Sequence, residues 1–324
     1  MTPPALPAIE VIDLHRNFGN LKAVDGVSFK IEKGTVVGFV GANGAGKTTT
    51  MRILATLDYP TRGTLKVSGI DVTQYPAEVR SKIGWMPDSF GTYHHMTVIE
   101  YLDFFARALG FKGQERTRRI TDVMDFADLA PLADRLINTL SKGMGQRLCL
   151  GRSLLHDPEV LILDEPAAGL DPKARVELKH LIRILAEEGK TVLISSHILS
   201  ELAEMCDSLL FINEGRIIHQ GSAESLKRDD SGSTIIRVEV HGDTQALLEW
   251  AQMSPHVKLK EGLKEGARIE VDSVDDQITA EVLQRMIKDG LQIIEFHREE
   301  RKLEDAFIDI LENIEAQKNQ TTPA

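Results

Sequence analysis

Gly41-Ala42-Asn43-Gly44-Ala45-Gly46-Lys47-Thr48 fits the pattern G-x-x-x-x-G-K-[ST], and its flanks supply the context that the pattern needs. An apolar, β-branched run, Val36–Val40, leads in, and a stretch of helical character, 47–56, leads out. Glycines let successive backbone N–H groups turn toward one centre, and a helix start adds partial positive charge there, so the segment suits phosphate oxygens. Lys47 has the reach for the terminal phosphates of a nucleotide. The Thr48 hydroxyl suits a Mg2+ ion held on them, and Thr49 belongs with the nucleotide-binding residues of the same segment.

Such a site needs a second protein oxygen for the metal. Val160-Leu161-Ile162-Leu163-Asp164-Glu165, an apolar strand ending in two carboxylates more than a hundred residues downstream, provides it. Asp164 suits the metal shell, directly or through water. Glu165, one residue on, points elsewhere and is placed to polarise an attacking water as general base. These two motifs alone describe a P-loop nucleoside triphosphatase, a description that kinases, GTPases and helicases share. Working outward, β-branched runs alternate with helical patterns over the first two-thirds of the chain, with strands at 65–67, 192–195 and 209–213. That order predicts an α/β sheet with helices packed on it.

Between the two motifs lies Leu140-Ser141-Lys142-Gly143-Met144-Gly145-Gln146-Arg147. It resembles the L-S-G-G-Q signature of ABC ATPases, matching at Ser141 and Gly143 and departing at Lys142 and Met144. A serine hydroxyl and a glycine N–H at a helix start form a phosphate clamp, or a simple helix cap at Ser141. Gly169-Leu170-Asp171 is similar to the family's D-loop, and His197, after the strand at 192–195, to its switch histidine. Phe18 in Arg16-Asn17-Phe18-Gly19 matches the aromatic that stacks on adenine, although a core phenylalanine would read the same way. Met86-Pro87-Asp88 resembles a variant of the segment in which glutamine more usually follows proline; it makes Asp88 a candidate for the metal shell, or a cap on the turn after Pro87. Leu303-Glu304-Asp305-Ala306-Phe307 resembles the element that ends the C-terminal extensions of export-type members. The likeness spans residues 9–226 and reaches into the tail.

A polar, flexible run, Arg228-Asp229-Asp230-Ser231-Gly232-Ser233, reads as a linker at 228–233. It predicts an ATPase domain with a helical subdomain at 1–227 and a smaller α+β domain at 234–324. The order beyond it is strand 234–240, helix 244–251, strand 256–260, a turn at 262–266, strand 267–272, helix 276–288 and strand 291–297. This β-α-β-β-α-β order is the ferredoxin-like one. A last amphipathic helix, 303–314, carries an apolar stripe for packing on its own domain or on a second copy of the chain.

Composition excludes several classes. The formal charge is −11; from Arg228 onward 12 Lys+Arg face 21 Asp+Glu, a balance of −9 that leaves −2 for the rest. An acidic appendage is a poor ligand for nucleic acid or anionic lipid, so no nucleic-acid partner is expected. No apolar run approaches the ~18–20 residues of a membrane-spanning helix, and the proline-rich start lacks a signal pattern. Cys149 and Cys206 fit a reducing compartment and two buried small hydrophobes.

The resemblance implies ATP and Mg2+ as cofactors and a homodimer, or a pairing with a second ABC ATPase. Two ATP molecules would lie sandwiched head to tail, each site combining Gly41–Thr49, Asp164, Glu165 and His197 of one copy with Ser141 and Gly143 of the other. It also implies separate transmembrane permease subunits that dock near 89–96, where Phe90, Tyr93, His94 and His95 offer anchors, and a location on the cytoplasmic face of the membrane. The rival class is a soluble non-transport ABC ATPase. Residues 57–139 are too short and lack the heptads of the DNA-repair type, and a single P-loop argues against the translation type.

Overall fold

The computed structural model describes residues 6–89, 91, 95–222, 225, 233–273, 275–299, 303 and 307. The chain divides into two compact units, Met1–Ser222 and Ala223–Ala324. The division lies close to the expected break at 228–233, of which only Ser233 is among the described residues.

In the first unit the elements run β1 (Ile9–Phe18), β2 (Leu21–Ile31), β3 (Val36–Val40), α1 (Lys47–Leu54), β4 (Arg62–Val67), β5 (Ile70–Asp71), α2 (Pro76–Lys82) and β6 (Ile83–Met86). They continue with α3 (Val98–Ala108), α4 (Gly113–Phe126), α5 (Lys142–Leu154), β7 (Val160–Leu163), α6 (Pro172–Glu187), β8 (Thr191–Ser196), α7 (Leu199–Ala203), β9 (Ser208–Asn213) and β10 (Arg216–Gly221). One sheet has the order β10-β9-β3-β8-β7-β6. Its strands from β9 to β6 are parallel and β10 is antiparallel to β9. Every residue of β3 and β7 is buried. Strands covered on both faces are apolar throughout, so their runs of Val, Ile and Leu stand out in the sequence.

A second, antiparallel sheet has the order β2-β1-β4-β5. Sequence reading missed β1 and β2, together with β5, β6, β10 and α4. The β1–β2 pairing slips at three places, beside Leu14 and again between Arg16 and Asn17. Each slip breaks the two-residue alternation that would have marked a strand. The two sheets share one core, in which Ile9, Leu14 and Val27 join Phe39, Ile162 and Leu193.

Helices α3, α4 and α5 pack on one another and form the helical part of the unit. The start of α3 is fixed by a capping box in which Thr97 and Glu100 exchange hydrogen bonds. Ser141 caps α5 and Asp171 caps α6.

The second unit carries β11 (Thr234–Val240), β12 (Val257–Leu263), β13 (Gly266–Val271) and β14 (Ile293–Arg298), with helices Thr244–Met253 and Asp276–Lys288. Its antiparallel sheet has the order β12-β13-β11-β14, which is the ferredoxin-like topology expected from the order of elements. Ile236, Val238, Ile269 and Val271 of the sheet share a core with Leu247, Ala251 and Met286 of the helices. Of the expected helix at 303–314, only Leu303 and Phe307 are described, both helical.

Candidate active site

Strand β8 lies between β3 and β7, so the loops after these three parallel strands open side by side at their carboxyl edge. This is where open α/β sheets receive ligands. The loop after β3 is the glycine-rich segment. A Cβ at Gly41 would strike the carbonyl oxygen of Ile212, and one at Gly46 would come within 2.6 Å of that of Ala23, at a φ of 107°. Helix α1 therefore begins from a left-handed glycine, without a capping side chain and without an acid in its first turn. Its free N–H groups and partial positive charge are left for an anion. Ala42, Asn43, Gly44 and Thr48 are exposed on the rim, and Thr49 is half-buried.

Lys47 is only 5% exposed. Its ammonium donates to the carbonyls of Gly41 at 2.6 Å and Ala42 at 3.2 Å and stands 3.6 Å from Glu165 Oε1. The other carboxylate oxygen of Glu165 lies 2.8 Å from His197 Nδ1. Glu165 Oε1 is buried with no hydrogen bond, so the side chain is strung between an ammonium and an imidazole, with Oε1 held by charge alone. Its backbone sits in the left-handed region, φ 49°, a strain that non-glycine residues tolerate mainly at functional sites.

Asp164 is 1% exposed. Its Oδ1 accepts hydrogen bonds from Ser195 Oγ at 2.7 Å and Thr48 Oγ1 at 3.2 Å. Burial raises its pKa above the usual aspartate value. The two hydrogen bonds pull it back, and the nearby charges of Asp88 and Glu165 push it up further. Asp88 itself is exposed, and its carboxylate accepts the N–H of Ser89 at 2.7 Å. It thus caps its own turn while its charge is felt at Asp164.

Ser195 was not singled out by sequence reading. Fully buried near the end of β8, it donates to Asp164 and accepts the N–H of Glu165 at 2.9 Å. One hydroxyl thus pins both carboxylate residues. The available signal was a pair of serines ending an otherwise apolar strand two residues before His197.

Among the described residues, no hydrogen bond or ion pair joins Ser141 or Gly143 to Lys47, Thr48, Asp164, Glu165 or His197. The Ser141 hydroxyl accepts from Met144 N–H at 3.3 Å, and a Cβ on Gly143 would meet Ala174. Lys142 leans over Gly169 of the D-loop segment. Phe18, at the β1–β2 hairpin, is 47% exposed. Phe90, Tyr93 and His94 lie outside the described residues; His95 has a φ of 63°.

A phosphate cradle at the end of a central parallel strand, with two carboxylates two strands away, defines a P-loop nucleoside triphosphatase. Residues 24–168 match the family described as ABC transporter. The chain is 38% identical over 237 residues, 73% of each protein, to a Nod factor export ATP-binding protein I of Ralstonia nicotianae. It is 40% identical over 223 residues to the ABC transporter ATP-binding protein NatA of Bacillus subtilis, covering 67% of this chain and 91% of that protein. A solved ATP binding subunit of an ABC transporter superposes with a TM-score of 0.62 at 29% identity, over 68% of this chain and 92% of that one. The chain belongs to the ABC transporter family, as an ATP-hydrolysing, ATP-binding subunit.

Two outcomes follow from Asp164 and Ser195. The raised pKa of Asp164 means that its contribution to folding is favourable below the unfolded pKa and is lost as pH rises through the folded one. Asp164→Asn keeps Oδ1 as an acceptor and removes the buried charge. Without nucleotide or metal it should melt above the wild type at neutral pH, with the gap closing as the medium is acidified; thermal scans across pH check this. Ser195→Ala should lower the unfolding free energy by about 1–3 kcal/mol, because the buried Glu165 N–H and Asp164 Oδ1 both lose their partner; urea titration measures it.

Proposed function

We propose that this chain hydrolyses Mg·ATP with Glu165 as general base and that two copies, or one copy and a related subunit, drive separate membrane permeases in export. The observation that carries the catalytic part is the line Lys47–Glu165–His197, with contacts of 3.6 and 2.8 Å at the mouth of the phosphate cradle. Lys47 would exchange its bonds to the Gly41 and Ala42 carbonyls for phosphate oxygens, leaving Glu165 free to take the proton of the attacking water. His197 holds Glu165 Oε2 and orients it. Phe18 would stack on the adenine ring.

The Thr48 hydroxyl and the Asp164 carboxylate, already 3.2 Å apart, are the hard oxygen donors that Mg2+ takes alongside phosphates and water. When bound, the metal would neutralise charge on the phosphates. Ser141 and Gly143, which among the described residues share no hydrogen bond or ion pair with these groups, fit a clamp offered to the nucleotide of the other copy. Export as the direction rests on the printed names of the relatives. No helix among the described residues is long and apolar enough to cross a membrane, in keeping with permeases on separate chains. The second unit, which holds none of the nucleotide motifs, would regulate or stabilise subunit pairing.

Glu165→Gln is expected to keep ATP affinity, to lose about 10²-fold or more in turnover and to accumulate an ATP-bound dimer visible by size-exclusion chromatography. Lys47→Ala should weaken nucleotide binding itself. Near-wild-type hydrolysis by Glu165→Gln would remove Glu165 from its role. Asp88, whose charge reaches Asp164, is a lever between the metal shell and the permease contact at 89–96. Asp88→Ala should therefore shift the Mg2+ dependence of partner-stimulated ATPase activity. An unchanged Mg2+ titration leaves Asp88 as the turn cap alone.

A further inference from the structure

Arg16 stands two residues before Phe18 on β1, and its guanidinium carbon lies 4.4 Å from the centre of the Phe18 ring. The same guanidinium is anchored from the other side: Nη2 donates to Asp58 Oδ1 at 2.8 Å, with both side chains largely buried, at 23% and 20% exposure. Asp58 belongs to the turn that follows α1, the helix of the phosphate cradle, and its carboxylate is steadied by the N–H of Tyr59 at 2.8 Å. Phe18, by contrast, keeps 47% of its surface exposed. One face of the ring is covered by a tethered cation while much of its surface stays open to solvent.

The hairpin brings this assembly to the nucleotide. Arg16 pairs with Val24 across β1 and β2, and Phe18 pairs with Leu21. Ala23, between them on β2, is the residue whose carbonyl packs against Gly46 of the cradle. Phe18 and Arg16 therefore sit a few residues of paired strand from the start of α1. Asp58 closes the circuit from the far end of that helix.

We propose that Arg16 is a positioning residue for the nucleotide base: it covers one face of Phe18, fixes the ring angle and leaves the opposite face to a purine. This rests on the reading of Phe18 as the base-stacking residue. A cation on one face of an arene draws π-density toward itself. The far face becomes a better partner for an electron-rich purine, and the order of stacking is guanidinium, phenyl, adenine. The tether to Asp58 removes the freedom that an exposed aromatic side chain would lose on binding. Pyrimidines, with less surface to stack, gain less from the same device.

The test measures equilibrium affinity of the full chain for ATP, UTP and inorganic tripolyphosphate by calorimetry, for wild type, Phe18→Ala, Arg16→Ala, Arg16→Lys and Asp58→Asn. Phe18→Ala should weaken ATP by roughly tenfold or more. Arg16→Ala should weaken ATP by about two- to fivefold, the equivalent of a partly exposed cation–π contact, and lower the ATP-to-UTP affinity ratio. Tripolyphosphate binding should not change. Arg16→Lys should restore part of the loss. Asp58→Asn, which keeps an oxygen for the Tyr59 N–H, should fall between Arg16→Ala and wild type. Turnover at saturating ATP should stay near wild type in all the Arg16 and Asp58 variants. A loss in Phe18→Ala with none in Arg16→Ala would overturn the role of Arg16 and leave Phe18 in place. No loss in Phe18→Ala would remove the base-stacking reading and the proposal with it. Equal weakening of ATP and tripolyphosphate by Arg16→Ala would mark a general distortion of the cradle and also overturn it.

Discussion

Burial of charge at the carboxyl edge of the six-stranded sheet is the constraint on which the rest of this structure depends. Lys47 and Asp164 are both almost inaccessible to water, and an isolated charge in such a place is costly. The fold meets that cost with fixed dipoles and opposite charges. Two carbonyls of the cradle and the carboxylate of Glu165 receive the ammonium; two hydroxyls receive Asp164. These partners come from the ends of three strands, with Gly41, Ala42 and Thr48 after β3, Ser195 on β8 and Glu165 after β7, so the order β3-β8-β7 is what makes the site possible. If β7 lay directly beside β3, no Ser195 would stand between the metal-side carboxylate and the cradle. The arrangement is also incomplete in a directed way. The α1 terminus has no cap, and Glu165 Oε1 has no hydrogen bond. An anion would meet the first of these, and a water molecule donating to Oε1 would meet the second.

The legible part of this site in the sequence was the part whose chemistry permits few substitutes. Only glycine fits at Gly41 and Gly46, where neighbouring carbonyls occupy the space of a Cβ, so the cradle is written in residue identity. Strands β3 and β7 are buried on both faces and show as unbroken apolar runs. Strands β1 and β2 did not show, because their pairing slips and the residues from His15 to Asn17 present polar groups where alternation would place apolar ones. Ser195 was illegible for another reason. Its role depends on β8 being inserted between β3 and β7, and strand order in a parallel sheet is set by crossovers that no local pattern encodes. Arg16 is similar: a basic residue near an aromatic is commonplace in sequence, and its tether to Asp58 spans 42 positions.

The second unit follows different physics. Strand β11 alternates buried apolar residues with Arg237 and Glu239, and β13 alternates them with Arg268 and Glu270. One face of the sheet thus packs on the helices, and the other carries ion pairs. Arg268 reaches Glu261 and Glu299, Lys260 reaches Glu270, and Arg237 reaches Glu239. Such half-exposed pairs contribute little stability each. They pair only part of the charge of a segment in which 12 Lys+Arg face 21 Asp+Glu, so its balance of −9 remains.

Ser141 brings together two readings that its sequence context left as alternatives, a helix cap and a phosphate clamp. As cap of α5 its hydroxyl oxygen accepts the N–H of Met144 at 3.3 Å, which uses one lone pair. A serine hydroxyl has a second lone pair and its own proton, and neither is needed for capping. Capping fixes the side-chain rotamer and, with it, the direction in which the O–H can point. The proton is then available to an anion lying off the start of α5, where the helix field already favours negative charge. A cation at Lys142, in the first turn of the same helix, adds to that positive field and is disfavoured by it in the isolated chain, a strain that a nearby anion would relieve. In this way the cap and the proposed clamp are compatible: the bond that shapes the helix start would also aim the hydroxyl at a nucleotide presented there.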